Sequence, residues 1–452
     1  MVIQFRDRVE ELKELKDVLD SDRFELTVIY GRRRIGKTEL ILSATENRKR
    51  IYYLAVGERN LERFYQHCLR HLPEVSRLRM DWETLFEFLK NNVEVIIIDE
   101  FQNLIREDEN ILHILQSITD STLRDSQIKM FLLGSSVSMM TSKVLSYRSP
   151  LYGRRTGSME LKAIPFFELN KFFPGYGIKE LIEIYGLADG IPLYLIKIDK
   201  RFWPWLREEI TRGRSFLRDE VDFIMRYEFE DVSTYKLILE AIAHGKTRVN
   251  EIKDFMNVRR TDISPYLRNL LEVRMIQRTI PVTEKTTSRK GRYYLSDNFL
   301  KFWFRYIYPN MSAIEEGIYD IKQIKADYNS YLGPVFENVA RQFLIKERKN
   351  IFDFNQIGRW WHKDNEIDLI ALNEQTKKAL FCECKWKENI NPGKILNELR
   401  IKSGDFRWHN SERTEYHALF AKSFKEKINT PNTMLFDLKD LEKAFNPQIA
   451  GS

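Results

Sequence analysis

The sequence predicts an α/β fold in which a parallel sheet is covered by helices on both faces. Helical patterns separate four short apolar runs that predict buried strands, namely FELTVIYG, IYYLAV, VEVIIIDE and IKMFLLGSS. Continuous apolar strands that alternate with helices are typical of parallel sheets, whose strands are buried on both sides. Ahead of the first strand, FRDRVEELKELKDVLDS has apolar residues at helical spacing and predicts a helix.

The pattern changes twice beyond the fourth strand. Residues 165–232 predict helices without a strong strand signal. Three short helical patterns then precede two strand-like runs, IQRTIPV and GRYYLSD, and this is the order of a winged helix-turn-helix. From residue 311 a long helix precedes the strands EIDLIAL and KALFCECKW, which predict a small mixed α/β domain.

Composition restricts the class of protein. The chain has 452 residues, of which 43% are hydrophobic and 31% charged, and its formal net charge of +7 permits a nucleic-acid partner without requiring one. Its three cysteines, Cys68, Cys382 and Cys384, are too few for a disulfide framework. The charged N-terminus does not resemble a signal peptide, and no apolar run is long enough to span a bilayer. We therefore expect a cytoplasmic protein without a membrane segment.

The segment GRRRIGKT matches the phosphate-binding pattern G-x-x-x-x-G-K-[ST] between a predicted strand and a predicted helix. Glycines allow the backbone N–H groups to face phosphate oxygens, and the start of the helix favours negative charge. Lys37 would contact the β and γ phosphates of ATP, and the Thr38 hydroxyl would bind Mg²⁺. The predicted cofactor-binding residues are Gly31, Arg32, Arg33, Arg34, Ile35, Gly36, Lys37, Thr38 and Glu39.

Acidic and hydroxyl side chains follow two of the other predicted strands. In VIIIDE, Asp99 would bind Mg²⁺ and Glu100 would activate the attacking water. In FLLGSS, Ser135 or Ser136 would lie near the γ phosphate, and Ser135 is the predicted catalytic residue. The alternative for VIIIDE is an ordinary buried strand followed by an acidic turn.

The basic segment YRSPLYGRRTG offers Arg148, Arg154 and Arg155 as candidates for an arginine finger. One of them would stabilise charge in the transition state at the nucleotide of a neighbouring subunit, so a homo-oligomer would be required. The alternative is a solvated basic loop.

The motifs FRDRVEEL, GRRRIGKT, VIIIDEFQ, FLLGSS and SPLYGRRTG together resemble the archaeal-type P-loop ATPases, which are related to the AAA+ and STAND groups. The resemblance covers about residues 3–200. It implies an ATP-binding fold and favours Arg154 over Arg155 as the finger. The segment GLADGIPLYL resembles the Gly-x-Pro element of the helical lid in these groups, which would place Gly190 and Pro192 near the nucleotide.

The winged-helix interpretation predicts a DNA partner, either single- or double-stranded. The recognition helix would present Ser264, Arg268 and Asn269 to a groove. Basic residues of the wing would contact phosphates, and these are Lys285, Arg289, Lys290 and Arg292. Winged helices also serve as protein-interaction modules, which is the alternative.

Asp368 and the pair Glu383 and Lys385 lie on the two predicted C-terminal strands. The period of two in a strand places Glu383 and Lys385 on one face, and Cys382 and Cys384 on the other. The acids would bind Mg²⁺, and Lys385 would stabilise charge on a phosphodiester. A zinc site at the cysteines is the alternative, but the remaining cysteine, Cys68, lies far away in the N-terminal half, and His362, His409 and His417 are scattered without a second close pair.

This arrangement resembles the PD-(D/E)xK nuclease core, although NEID lacks the proline–aspartate pair. In that fold the preceding helix often carries another acid, and the resemblance implies this role for Glu337 as a metal ligand, with Glu366 as a substitute. The expected domains are a P-loop ATPase core (1–164), a helical lid (165–232), a winged helix-turn-helix (233–310) and a nuclease-like domain (311–452).

Two functions fit these observations. The first is an ATP-binding and ATP-hydrolysing, nucleic-acid-associated protein whose nucleotide state controls a Mg²⁺-dependent DNA nuclease-like domain. The second is an ATP-dependent regulatory switch whose winged helix binds DNA or protein and whose C-terminal domain is inactive. Asp368, Glu383 and Lys385 converging in an open cleft would favour the first, whereas a cleft filled by the chain's own basic side chains would favour the second.

Overall fold

The computed structural model of the chain describes residues 7–212 and 215–445. Phe5 and Arg6, the first two residues of the motif FRDRVEEL, lie outside the described residues. The chain divides into two compact units, one formed by Met1–Ala163 with Ile191–Tyr194 and the other by Ile164–Gly190 with Leu195–Ser452. Within the described residues, no helix has both the length and the apolar character needed to cross a bilayer.

The helices and strands of both units are numbered in chain order. The α-helices, in chain order, are α1 (Val9–Leu19), α2 (Lys37–Ala44), α3 (Asn60–His71), α4 (Trp82–Leu89), α5 (Gln102–Glu107), α6 (Ile111–Ile118), α7 (Val137–Met139), α8 (Ile178–Ala188), α9 (Pro192–Leu195), α10 (Phe202–Thr211), α11 (Phe216–Glu228), α12 (Ser233–Ala243), α13 (Val249–Phe255), α14 (Ser264–Glu272), α15 (Asn298–Phe302), α16 (Met311–Glu315), α17 (Lys322–Lys346), α18 (Arg348–Ile351), α19 (Pro392–Gly404) and α20 (Leu438–Phe445). The strands are β1 (Glu25–Tyr30), β2 (Arg50–Leu54), β3 (Val95–Asp99), β4 (Lys129–Gly134), β5 (Gly157–Glu160), β6 (Ile276–Thr279), β7 (Arg292–Leu295), β8 (Gln356–His362), β9 (Asn365–Asn373), β10 (Lys378–Lys385), β11 (Thr414–Ala421) and β12 (Thr433–Phe436).

The first unit is built on a five-stranded parallel sheet in the order β2-β3-β4-β1-β5. The three central strands are buried along nearly their whole length because helices cover both faces. This confirms the predicted α/β class and the four predicted strands. The fifth strand, β5, was not predicted, since its sequence GSME is polar and its residues are not fully buried.

The second unit begins with helices and a small antiparallel hairpin. Helices α12, α13 and α14 precede the two-stranded sheet β6-β7, so the three helices and the hairpin lie where the sequence predicts them. The aromatic segment that follows β7 is buried, and Phe302, Trp303 and Phe304 have no exposed surface.

The C-terminal part of the second unit is a mixed five-stranded sheet in the order β12-β11-β10-β9-β8. Strand β10 pairs in parallel with β11 and antiparallel with β9. Helix α17 precedes this sheet, and α19 connects β10 to β11. Leu396 and Leu399 of α19 belong to an apolar cluster that also contains Phe381 of β10. The sheet therefore has α19 packed on the face that carries the odd-numbered residues of β10.

Candidate functional site

The loop between β1 and α2 has a backbone that requires its two glycines. A Cβ atom at Gly31 would lie 2.4 Å from the carbonyl oxygen of Leu161, which is far too close for any side chain. Gly36 has a φ of +90°, in the left-handed region that glycine adopts without strain. The loop can therefore turn sharply and deliver the chain directly into α2.

Lys37 is the first residue of α2, and its side chain returns over the loop. Its Nζ donates hydrogen bonds to the carbonyl oxygens of Gly31 at 2.9 Å and Arg32 at 3.0 Å. Only 6% of the residue is exposed, and burial lowers its pKa to about 8. The ammonium group is thus held inside the loop that the sequence predicts to bind phosphate.

Thr38 and Asp99 meet at the carboxyl end of the parallel sheet. The Thr38 hydroxyl donates to Oδ2 of Asp99 at 2.6 Å, and the Tyr52 hydroxyl donates to the same oxygen at 2.9 Å. The backbone N–H of Glu100 donates to Oδ1 of Asp99 at 2.8 Å. A threonine hydroxyl beside a carboxylate is an oxygen donor set that suits Mg²⁺. The residues present therefore fit the ion that the sequence predicts at this point.

Glu100 lies immediately after β3 with a φ of +52°, an uncommon value for a residue with a side chain. Its Oε2 accepts hydrogen bonds from the Ser135 hydroxyl and from Nε2 of Gln102. Gln102 Nε2 also lies 3.1 Å from Oγ of Ser135. The structure thus brings the predicted Glu100 and Ser135 together and adds Gln102, a fully buried residue, to hold the carboxylate.

Two further residues of the first unit contact the loop. Arg8, from the motif FRDRVEEL, donates to the carbonyl oxygens of Ile35 at 3.2 Å and Lys162 at 2.6 Å, so it connects the loop to the segment that directly follows β5. A Cβ atom at Gly36 would lie 3.9 Å from Cγ of Pro192, which places Pro192 against the loop. Its role in sensing the nucleotide stays a prediction.

The three candidate finger arginines make contacts within the first unit. Arg154 forms a bidentate ion pair with Asp120, with distances of 2.8 to 3.0 Å between nitrogen and carboxylate oxygen. Arg155 donates to the carbonyl oxygen of Leu145 at 2.8 Å, and Arg148 donates to the hydroxyl of Tyr147 at 2.9 Å. An arginine finger in a second copy stays a prediction.

The C-terminal acids lie where β9 separates from β10. The ladder between these strands ends at Cys382 and Leu369, one pair before Glu383 and Asp368. On the other side of β9, the register with β8 shifts between Gly358 and Trp360, so two residues of β9 oppose one of β8. Such a bulge redirects a side chain, and the Asp368 carboxylate accepts a hydrogen bond from the N–H of Cys384 at 2.8 Å.

The charges of the acids influence one another. Loss of water around Asp368, followed by the charge of Glu383, raises the pKa of Asp368 to about 6. Burial raises the pKa of Glu337 to about 8, against the opposing effect of Arg359, with a further raising contribution from Asp368. The structure therefore brings Glu337, Asp368 and Glu383 into one electrostatic group. Within the described residues, however, no three Cys, His, Asp or Glu side chains are grouped closely enough to hold a metal ion as they stand.

Basic side chains of the chain itself contact these acids. Lys385 Nζ lies 2.6 Å from Oε1 of Glu383, and Lys402 Nζ of α19 lies 3.2 and 3.3 Å from its two oxygens. The Arg359 guanidinium forms an ion pair with Glu337. Glu383 and Glu337 are thus already compensated by cations of the chain itself.

The cysteines of β10 lie on the opposite face from Glu383. Cys382 and Cys384 are buried free thiols, and burial raises the pKa of both. On the same face Trp386 packs against Phe336 of α17, with ring centroids 5.1 Å apart. This position agrees with the face that the alternation along the strand predicts for these thiols, and among the described residues they join no metal-binding group.

The residues predicted to contact DNA, in the recognition helix and in the wing, differ in how far their side chains are engaged by other residues of the chain. Arg268 is exposed, whereas the Asn269 amide donates to the hydroxyl of Tyr235 at 2.7 Å. Arg292 is held by Glu366 at 2.9 Å and lies over the ring of Trp361. The contact of Glu366 with Arg292 also means that this acid faces a cation, as Glu337 and Glu383 do.

Comparison with known proteins assigns the chain to a family. A family model described as an ATPase domain predominantly from Archaea matches residues 5–198, and a model described as Archaea bacterial proteins of unknown function matches residues 303–399. An uncharacterized protein of Methanocaldococcus jannaschii is 53% identical over 441 residues, which cover 96% of this chain and 99% of the relative. The chain belongs to this family of archaeal ATPase-domain proteins.

Other matches of the archaeal ATPase-domain protein are more distant. An uncharacterized ATP-binding protein of Methanocaldococcus jannaschii is 42% identical over 48 residues, which are 11% of this chain and 81% of that protein. The solved structure of a Walker-type ATPase of Pyrococcus abyssi is 22% identical and covers 66% of this chain and 96% of its own, with a TM-score of 0.52. This likeness shows a shared fold, which agrees with the sheet described above.

Four residues of the archaeal ATPase-domain protein contact the acids of the nucleotide site or of the C-terminal site, although these contacts were not predicted from the sequence. Tyr52 and Gln102 hold the acids that end β3, and Lys402 and Arg359 compensate the C-terminal acids. Gln102 stands two residues after Glu100 in DEFQ, so its nearness in the sequence could have indicated a contact with Glu100. For Tyr52, Lys402 and Arg359 the contacts depend on strand pairing and helix placement, which the sequence does not specify.

Proposed function

We propose that this protein is an ATP-hydrolysing regulatory switch. The observation that carries the proposal is the contact of 2.6 Å between the Thr38 hydroxyl and the Asp99 carboxylate, with Glu100 held beside it by Ser135. Together with the loop around Lys37, these side chains supply the groups that phosphoryl transfer to water requires. The match to an archaeal ATPase domain supports the same activity.

The roles of the chain's own residues in hydrolysis follow from their chemistry. Backbone N–H groups of the loop and the Lys37 ammonium bind the β and γ phosphates and oppose the charge that develops there. Glu100 orients the attacking water and accepts its proton, while Ser135 and Gln102 fix the direction of the carboxylate. Thr38 and Asp99 would hold Mg²⁺, which neutralises charge on the phosphate oxygens when it is bound.

The switch requires a path from nucleotide to partner. The placement of Pro192 against the phosphate loop supports a lid that senses the nucleotide, because a residue beside the loop lies next to the phosphates that the loop binds. The division into core (1–164), lid (165–232), winged helix (233–310) and nuclease-like domain (311–452) belongs to this proposal. Exposed Arg268 supports a DNA partner, and the engagement of Arg292 in an ion pair equally allows a protein partner.

A second candidate function is metal-dependent cleavage of DNA. The observation that favours it is the convergence of Asp368, Glu383 and Lys385 at the point where β9 leaves β10, with the pKa of Asp368 raised to about 6. The order α17-β8-β9-β10-α19-β11 is also that of the nuclease core which the sequence resembles. Cleavage would require a divalent metal ion to displace Lys402 from Glu383, because the two are in contact in the protein alone.

ATP turnover of the full chain and of Glu100→Gln tests the proposed function. The variant should still bind ATP but hydrolyse it about 100-fold more slowly or worse, because an amide cannot accept the proton. Glu109→Gln, a change at an exposed carboxylate in the same unit, is the control. Unchanged turnover in Glu100→Gln would refute the assignment.

The second candidate is tested on labelled single- and double-stranded DNA with Mg²⁺ or Mn²⁺, with and without ATP. Cleavage that is lost in Asp368→Asn supports the nuclease. If the DNA is not cleaved under any of these conditions but its binding to the protein still depends on ATP, the result supports the regulatory switch without a nuclease activity.

A further inference from the structure

A cavity of about 470 Å³ lies on the first unit beside the edge strand β2 and along α3. Its volume falls within the range of small-ligand and cofactor pockets. We call it the β2–α3 site and define it by Tyr52 and Leu54 of β2 and by Arg59, Arg63, His67 and Arg70 of α3 and its preceding residue. None of these residues belongs to the phosphate loop, so this cavity is distinct from the nucleotide-binding loop.

The wall formed by α3 is positively charged. Arg59, Arg63 and Arg70 are exposed and recur on one face of the helix, with spacings along its axis of about 6 and about 10 Å. Burial lowers the pKa of His67, as do the neighbouring His71 and Arg70, so the helix resists further positive charge. The acid in the lining is Glu62, 3.7 Å from Arg59. The surface therefore favours an anionic ligand with charges repeated along its length.

The wall formed by β2 is aromatic and apolar. Tyr52 is half-buried, and Leu54 is 49% exposed. Flat apolar and aromatic surfaces beside a row of arginines are the features with which proteins bind single-stranded nucleic acid, since bases stack and phosphates pair with the cations. The exposed arginines together with Tyr52 and Leu54 at the sheet edge suit a phosphodiester strand.

The position of the site connects it to the ATPase chemistry. Leu54 pairs with Asp99 in the parallel register of β2 and β3, so the cavity opens at the carboxyl end of the sheet, where open α/β folds bind ligands. Tyr52 lines the cavity and also donates to Oδ2 of Asp99. That same oxygen accepts from Thr38. A ligand that contacted Tyr52 in the cavity would thereby adjoin the hydrogen bond to the carboxylate predicted to hold Mg²⁺.

We propose that the β2–α3 site binds a segment of single-stranded nucleic acid and that Tyr52 transmits its occupancy to Asp99. The binding part is independent of the winged-helix interpretation, whereas the transmitted effect rests on the proposed ATP hydrolysis. DNA and RNA share the phosphodiester chemistry that the arginines recognise. The experiment therefore uses one DNA and one RNA oligonucleotide.

The binding test uses fluorescein-labelled oligodeoxythymidine and oligouridine with the full chain. Arg63→Ala/Arg70→Ala should weaken binding at least 10-fold and reduce the log–log salt slope by about 1.4, as expected for two lost phosphate contacts on a single strand. The matched control, Arg77→Ala/Arg124→Ala, removes two exposed arginines of the same unit that do not line the cavity and should bind as the unaltered chain does.

Three binding results would overturn the proposal. The first is unchanged affinity in Arg63→Ala/Arg70→Ala, and the second is an equal loss in the control. The third is displacement of the oligonucleotide by polyglutamate at the same charge concentration, which would assign the site to acidic protein segments instead.

The transmission test compares ATP turnover with and without saturating oligonucleotide. The bound oligonucleotide should change ATP turnover at least 2-fold in the unaltered chain. Tyr52→Phe should bind the oligonucleotide normally, but its turnover with the oligonucleotide should equal its turnover without it, a ratio of one. A ratio in Tyr52→Phe equal to that of the unaltered chain would overturn the role of Tyr52. If the unaltered chain hydrolyses no ATP, the proposed function fails, while the oligonucleotide affinities still decide the binding part.

Discussion

The nucleotide site and the C-terminal acid site both place carboxylates at the end of a strand, but they satisfy those carboxylates differently. Asp99 and Glu100 accept hydrogen bonds from neutral donors, namely the hydroxyls of Thr38, Tyr52 and Ser135 and the amide of Gln102. Glu383 and Glu337 instead contact the cations Lys385, Lys402 and Arg359.

The difference bears on what each site can bind. Neutral donors orient a carboxylate without cancelling its charge, so the carboxylates of the first site keep their attraction for Mg²⁺, while the nearby Lys37 attracts the phosphates. An internal cation cancels that charge, and a metal ion must compete with it before it can bind. The comparison indicates that the carboxylates of the nucleotide site are oriented for their ligands, and we call it the prepared site. The carboxylates of the C-terminal site are compensated by cations of the chain itself, and we call it the closed site.

The largest expected effect concerns the prepared site. Lys37→Ala should reduce ATP turnover about 100- to 1,000-fold, because it removes the cation that lies inside the phosphate loop. Lys90→Ala, at a half-buried lysine elsewhere in the unit, is the control and should keep normal turnover. Normal turnover in Lys37→Ala would show that the phosphate loop does not bind the reacting nucleotide.

Gln102 tests whether neutral donors position Glu100. Gln102→Ala should lower kcat about 10-fold and leave KM unchanged, because the variant misdirects the carboxylate without touching the phosphate loop. Gln127→Ala, at an exposed glutamine of the same unit, is the control. A rise in KM with kcat preserved would contradict a positioning role.

The closed site should bind metal in a pH-dependent manner. A carboxylate must lose its proton to bind a cation, and the pKa of Asp368 is raised to about 6 in the folded chain. Affinity for Mn²⁺ should therefore rise about 10-fold from pH 5 to pH 7, with proton release. Calorimetry in two buffers of different ionisation enthalpy measures that release, and a pH-independent affinity that Asp368→Asn abolishes would contradict the raised pKa.

Lys402 gives the smallest effect. Lys402→Met should tighten Mn²⁺ binding at the C-terminal site by up to about 5-fold, because a partly exposed ion pair contributes at most about 1 kcal/mol. Lys394→Met, at an exposed lysine of the same helix, should leave the affinity unchanged. Equal effects in the two variants would mean that Lys402 does not compete with the metal.

The sequence predicted those parts of the molecule that local patterns control. Apolar runs identified β1 to β4, and the fixed spacing of Gly31, Gly36 and Lys37 identified the phosphate loop. The alternation along β10 placed Glu383 opposite the cysteines. In each case the information lies within a few neighbouring residues.

Other features depend on contacts between distant segments and were not predictable. The bulge that redirects Asp368 arises from pairing with β8, a strand that the sequence did not predict. The hydrogen bond from Tyr52 to Asp99 requires β2 to lie beside β3, and the Lys402 contact requires α19 to cover β10. The sequence therefore located the candidate ligands but did not reveal which donors or cations would satisfy them.

The most direct test of this contrast is a calorimetric titration of Mn²⁺ into the full chain saturated with a non-hydrolysable ATP analogue at pH 7. We expect a tight binding event that Asp99→Asn removes and a second event, at least 10-fold weaker, that Asp368→Asn removes. A single class of equal affinity, or a tight event removed by Asp368→Asn, would contradict the claim that one site is prepared and the other closed.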